Sequence, residues 1–209
     1  MPLTRAPQRC SNHRIRLNPP QAVVIGFLGA ILLATALLAL PIAHAPGVEV
    51  TILEAAFTAV SAVAVTGHII VDTATAWSPF GQAVIVAFIQ IGGLGIMRRI
   101  SLRGRMVAGA ENRAVTTGDA VRLARGIVLS SLIIEAIVAL ILTLQFWLSY
   151  GDALPTALGR GVFLAISSFN NAGFAPFSDN MIGFATDPIV VLPMCIATIL
   201  GGLGFPVLL

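Results

Sequence analysis

Four apolar runs, residues 22–40, 80–97, 127–148 and 189–209, carry no charge except Glu135 and only scattered Gln, Ser or Thr. At 1.5 Å per helical residue, about twenty residues cross roughly 30 Å of hydrocarbon, so each run is expected as a membrane-spanning helix. The second is the shortest. Two further segments, 52–65 and 154–169, lie in the connections between these runs yet are too apolar for loops in water. They are too short to span but fit re-entrant helices that dip in and return as extended chain. Pro155 suits the first turn of such a helix, where its missing N–H costs nothing. A helix lying flat in the interface would have the same composition.

The pattern occurs twice. Phe57-Thr58-Ala59-Val60-Ser61, leading to Gly67, aligns with Phe163-Leu164-Ala165-Ile166-Ser167, leading to Gly173, at an offset of 106 residues. The patch Gly92-Gly93-Leu94-Gly95 recurs as Gly201-Gly202-Leu203-Gly204 at an offset of 109. The expected fold is therefore all-α and integral to the membrane. It has two parallel repeats of transmembrane helix, re-entrant pore helix with its filter loop, and transmembrane helix. The chain divides into a basic N-terminus (1–17), a first repeat (18–97), a basic connection (98–125) and a second repeat (126–209).

Composition excludes much. With 57% hydrophobic and 10% charged residues and a mean hydropathy of +0.95, the 209 residues cannot coat a water-soluble globule, so a soluble enzyme or nucleic-acid binder is excluded. All twelve basic residues are Arg, for a net charge of +3. Eleven of them lie before the first run or between the second and third; Arg160 alone lies on the other side. The positive-inside rule then places both chain ends in the cytoplasm, in an inner membrane. The run at 22–40 exceeds a secretory signal core, so a retained anchor is expected. Cys10 and Cys195 stand far apart with no CxxC, so neither a disulfide nor a zinc site is indicated. No HExxH, paired membrane aspartates or nucleophile with a neighbouring base suggests an enzyme.

The chemistry concentrates after the two short helices. A helix entering from outside would aim its partially negative C-terminal end, with unpaired carbonyls, at the membrane midplane. The following residues, Val65, Thr66, Gly67 and His68 in one half and Asn170, Asn171, Ala172 and Gly173 in the other, contain no acid. A cation there would meet backbone carbonyls, which replace a hydration shell without holding the ion too tightly. Glycine at 67 and 173 lets adjacent carbonyls face one axis; a tight turn alone would also use glycine.

These segments resemble the TrkH/KtrB/HKT superfamily of potassium or sodium transport proteins. The likeness runs from about residue 18 to 209 through SAVAVTG at 61–67, QIGGLGIM at 90–97, FNNAGFAPFSDN at 169–180 and GGLGFPVL at 201–208. It implies that Gly67 and Gly173 are filter glycines, with potassium (or sodium) as substrate held by the carbonyls of Thr66, Gly67, Ala172 and Gly173, and no resident cofactor. It also implies that the glycine patches at 92, 93, 95, 201, 202 and 204 lie beside the pore.

Three departures qualify the likeness. Family members usually carry four repeats and this chain carries two, so either a homo-oligomer completes the filter or the chain is a truncated remnant or assembly partner that does not conduct alone. Arg98 and Arg99 follow Met97 where relatives stay apolar, suggesting an internal deletion. His68 replaces an aliphatic residue, and a cationic imidazole there would weaken conduction at acid pH; an outer-mouth position facing water is the simpler role. Glu135, near mid-span, costs about 2.5–3.5 kcal/mol unless it has a partner, which the sequence does not name. The arginine-rich connection suits anionic lipid; the resemblance adds docking of a cytosolic nucleotide-binding regulatory subunit.

Overall fold

The computed structural model describes residues 19–108 and 117–203. Among these the chain forms helices and no strand: α1 (Pro19–Leu38), α2 (Ile52–Ala64), α3 (Thr73–Ala76), α4 (Pro79–Ala108), α5 (Thr117–Leu148), α6 (Leu154–Phe169) and α7 (Pro188–Leu203), with 3-10 turns at Pro41–Ala43 and Ile182–Phe184. Arg5, Arg9, Arg14, Arg16, Cys10, Arg113 and Gly204 lie outside the described residues.

Both short helices form where expected, for different local reasons. α2 opens with a capping box. The Thr51 hydroxyl accepts from the Glu54 N–H, and the Glu54 carboxylate accepts from the Thr51 N–H at 2.7 Å. α6 has no side-chain cap; Pro155 in its first turn presets the backbone instead.

Two apolar cores hold the helices. One gathers Leu38, Ala59, Val63, Ile85 and Ile89 from α1, α2 and α4; the other gathers Leu142, Phe146, Leu164, Phe169 and Val190 from α5, α6 and α7. The two long helices overrun their apolar runs. α4 continues to Ala108 and α5 begins at Thr117, so only residues 109–116 of the 98–125 connection lack described structure. Arg, Leu, Met and Ala are good helix formers, and 98–108 contains no proline and a single glycine, Gly104, through which the helix continues.

The outward faces are apolar. Leu32 of α1 is 70% exposed, and Leu132 and Leu140 of α5 and Leu192 and Ile199 of α7 are also exposed. Of the described helices, one stretch, Arg125–Leu148, is by itself long and apolar enough to cross a bilayer. Val23–Leu38, Pro79–Gly95 and Pro188–Leu203 are shorter apolar helices.

Candidate functional site

The two short helices end in turns of the same construction. After α2, the Val65 N–H donates to Ala62 O and the Thr66 N–H to Ser61 O at 3.0 Å; after α6, the Asn171 N–H donates to Ser168 O and the Ala172 N–H to Ser167 O at 2.7 Å. Each bond in the second turn lies 106 residues beyond its counterpart in the first. These bonds correct one expectation. The carbonyls of Ser61, Ala62, Ser167 and Ser168 are not unpaired, because the chain folds back on them as it leaves each helix.

Backbone conformation repeats with the same offset. Val65 (φ 56°) and Gly67 (φ 71°) take positive φ in the first turn, and Asn171 (φ 57°) and Gly173 (φ 74°) in the second. Asn tolerates the left-handed region and Gly prefers it, but a β-branched valine there is strained by roughly 1–3 kcal/mol. The two hydrogen bonds around Val65 hold it in place. Strain of this kind concentrates at functional segments.

The turns meet. A Cβ on Gly67 would overlap the Ala172 carbonyl oxygen and come within 3.3 Å of the Gly173 Cα. Thr66, His68, Asn171 and Gly173 are exposed, whereas Ala172 and Asn170 are buried and Val65 and Gly67 are half-buried. His68 therefore stands at an open face and not within packed protein.

The glycine patches seat the outgoing helices on these turns. Gly92 of α4 abuts the Val63 carbonyl at the end of α2, and Gly201 of α7 abuts the Phe169 carbonyl at the end of α6. Gly93, next to Gly92, faces the Asn170 side chain, so α4 touches the ends of both short helices. A Cβ on Gly202 would stand 3.7 Å from Asn171 Nδ2, and one on Gly95 3.8 Å from the Phe27 ring, both ordinary contacts.

Side chains secure the second turn more than the first. The Ser167 hydroxyl donates to Phe174 O at 2.6 Å, Asn171 Nδ2 to Thr198 O at 3.3 Å, and the Thr198 hydroxyl to Ser168 O at 3.1 Å. In the first turn the Thr66 hydroxyl donates to Ser61 Oγ at 3.1 Å. Glu135 gains the partners that sequence could not name. Its carboxylate accepts from Gln90 Nε2 at 2.9 Å and from Asn170 Nδ2 at 3.4 Å. Gln90 and Thr198 carried no signal of their own, since a lone Gln or Thr in an apolar helix has many uses.

On α6, Arg160 pairs with Asp152 at 2.6 Å and lies 4.9 Å from the Phe177 ring. Asp187, just before α7, accepts from Gln145 Nε2 and from the Tyr150 hydroxyl, each at 2.9 Å. Cys195 is free and exposed, and no cluster of metal-ligating side chains occurs among the described residues. The oxygens that the turns offer are neutral ones, those of the backbone and of the exposed Thr66 and Asn171 side chains.

Apolar outward faces, helices throughout the described residues and two short helices capped by matched turns define an all-helical membrane protein. The chain belongs to the TrkH family of cation transport proteins, which it matches over residues 23–209; these are transporters and not enzymes. It is 40% identical over 205 residues to Ktr system potassium uptake protein B of Bacillus subtilis, covering 93% of this chain and 45% of that protein. It is 36% identical over 203 residues to Ktr system potassium uptake protein D of the same organism, covering 92% and 45%. To the potassium/sodium uptake protein NtpJ of Enterococcus hirae it is 33% identical over 203 residues, again covering 92% and 45%. The chain thus spans somewhat under half the length of these relatives.

Proposed function

We propose that this chain contributes two walls of a selectivity filter through which potassium crosses the cytoplasmic membrane. The observation that carries the reading is the pair of turns with positive φ at alternate residues, 65 and 67 in one and 171 and 173 in the other. Alternating backbone hands turn successive carbonyls toward a common side, and carbonyl oxygens suit a weakly hydrated monovalent cation. Thr66, Gly67, Ala172 and Gly173 supply those oxygens, and α2 and α6 are re-entrant helices of two parallel repeats. The Ktr system proteins B and D of Bacillus subtilis are named for potassium, which supports that ion over sodium. Both ends of the chain face the cytoplasm, and its basic connection meets anionic lipid or a cytosolic regulatory subunit.

Two turns bound an ion on two sides, and the exposed faces of Thr66, His68, Asn171 and Gly173 leave the others open. A second copy, or a further polypeptide carrying two more turns, completes the ring. The second reading is an assembly partner that conducts nothing alone, since two turns cannot surround an ion. One experiment separates them: express the chain in cells lacking potassium uptake, at limiting potassium, and measure growth and rubidium uptake. Rescue that Gly67→Ala abolishes supports a filter built from copies of this chain. A silent chain that restores uptake only beside a co-expressed second pair of repeats supports the partner reading, and silence in both settings overturns the proposal.

A further inference from the structure

Asn170 is the last residue before the second turn, and its side chain is buried among three helices. Its Nδ2 donates to Gln90 Oε1 at 2.8 Å on α4, to Ile166 O at 2.9 Å on its own helix, and to Glu135 Oε1 at 3.4 Å on α5. Gln90 Nε2 closes the ring by donating to Glu135 Oε2 at 2.9 Å. Glu135 is 4% exposed and Asn170 6%. Asn170 Oδ1 is buried without a partner and sits where a Cβ on Gly93 would overlap it. The amide is thus gripped from one side and fits a notch on the other.

The first turn has nothing equivalent. Ala64 stands 106 residues before Asn170, and Ile199 stands 109 after Gln90, so neither counterpart can make such a bond. A buried acid on an apolar helix costs stability that well-packed leucine would not, and this one spends both oxygens on the residue before the second turn and on that residue's neighbour.

We infer that Glu135 is a positioning residue for the turn Asn171–Gly173: through Asn170 and Gln90 it fixes the end of α6, and so sets where the Ala172 and Gly173 carbonyls stand. That such placement governs ion preference rests on the filter reading above; that Glu135 orders the turn does not.

The test compares amide hydrogen exchange in the full chain in lipid nanodiscs, with the first turn as internal control. The two reporters are the equivalent N–H groups of Ala172, bonded to Ser167 O, and Thr66, bonded to Ser61 O. Glu135→Ala is expected to speed exchange at Ala172 by about tenfold or more while Thr66 stays within about twofold. Leu142→Ala, a fully buried leucine of the same helix in the core shared with α6 and α7, is expected to speed exchange along the whole of α6, whereas the effect of Glu135→Ala is confined to its C-terminal end and the turn. Glu135→Gln can still accept from Asn170 and exchange a bond with Gln90, and should keep Ala172 within about threefold of the parent. Should Glu135→Ala fail to fold, Gly93→Ala displaces the same Asn170 oxygen from the opposite side and should give the same selective effect.

Equal acceleration of both turns by Glu135→Ala, or loss in Glu135→Gln as large as in Glu135→Ala, overturns the assignment. Where uptake is measurable, Glu135→Ala should lower the potassium-over-sodium preference; an unchanged preference beside selectively faster exchange at Ala172 overturns the link between this turn and ion choice, and leaves the ordering role to the exchange comparison. A parent chain that moves no cation in any setting would sink the filter reading, while the exchange comparison would still decide the role of Glu135.

Discussion

Gly67 and Ala172, 105 residues apart, meet so closely that a Cβ on Gly67 would overlap the Ala172 carbonyl oxygen. The contact is one-sided: a Cβ on Gly173 would meet only the Gly67 Cα, at an ordinary 3.6 Å. Both glycines hold positive φ, so the two positions share the backbone penalty and differ in space.

This asymmetry ranks two substitutions that sequence alone would treat as equal. Gly173→Ala should lose roughly 1–2 kcal/mol of stability, the penalty of a left-handed L-residue. Gly67→Ala should lose that and roughly 1–3 kcal/mol more, because the oxygen it strikes is backbone and cannot swing aside. Thermal melts of the purified chain check the order. Uptake, where present, should fall further in Gly67→Ala.

The glycine patches make a second ranking. Gly92→Ala would force α4 off the Val63 carbonyl, and Gly201→Ala would force α7 off the Phe169 carbonyl. Each should cost roughly 1–3 kcal/mol by overpacking. Gly29 of α1 has nothing within 4 Å of its missing Cβ, so Gly29→Ala should stabilise the helix by about 0.5–1 kcal/mol. Opposite shifts in melting temperature for the two kinds of substitution are the expected result.

The short helices, their end-turn glycines and the doubled glycine patches were legible because each follows from a pattern that sequence carries directly: apolar length, positive-φ glycine and a fixed offset. The 106-residue offset reappears bond for bond in the hydrogen bonding of Thr66 and Ala172. What stayed hidden depends on the third dimension. The left-handed conformation of Val65 leaves no trace in a residue type that avoids it. The Glu135 partners lie 45 residues before and 35 after it, on helices whose rotation no periodicity in a uniformly apolar run can set. The continuation of α4 past Arg98 leaves no apolar signal, because arginine ends the hydrophobic run while still favouring helix.

The capping box of α2 is expected to tie the start of the first short helix to pH. Thr51→Ala removes the hydroxyl that accepts from the Glu54 N–H and should lower the melting temperature by about 2–4 °C at neutral pH. The hydrogen bond from the Thr51 N–H, then that from its hydroxyl, holds the Glu54 carboxyl below its ordinary value. A depressed carboxyl stabilises the fold above its unfolded value of about 4.3 and loses that contribution as pH falls through the folded one. The gap between the parent and Thr51→Ala should therefore narrow in acid.

Tyr150 is the chain's single tyrosine, so tyrosinate absorbance reports on one site. Its hydroxyl donates to Asp187 at 2.9 Å, and that bond, followed by burial and the neighbouring negative charge, raises the phenol above its ordinary value. Ionisation would break the bond and set two anions side by side. The Asp187 carboxyl is held low in turn, by Gln145 first, and then by Tyr150 and the N–H groups opening α7. In Asp187→Asn the phenol midpoint should drop toward the ordinary value of about 10, because an amide oxygen accepts the bond without the charge. The carboxylate's stabilising contribution is present at neutral pH and lost as pH falls through its depressed value, so the parent should melt lower in acid by an amount that Asp187→Asn does not show. A tyrosinate midpoint unchanged between the two proteins would mean that the bond joining the end of α5 to the start of α7 does not form.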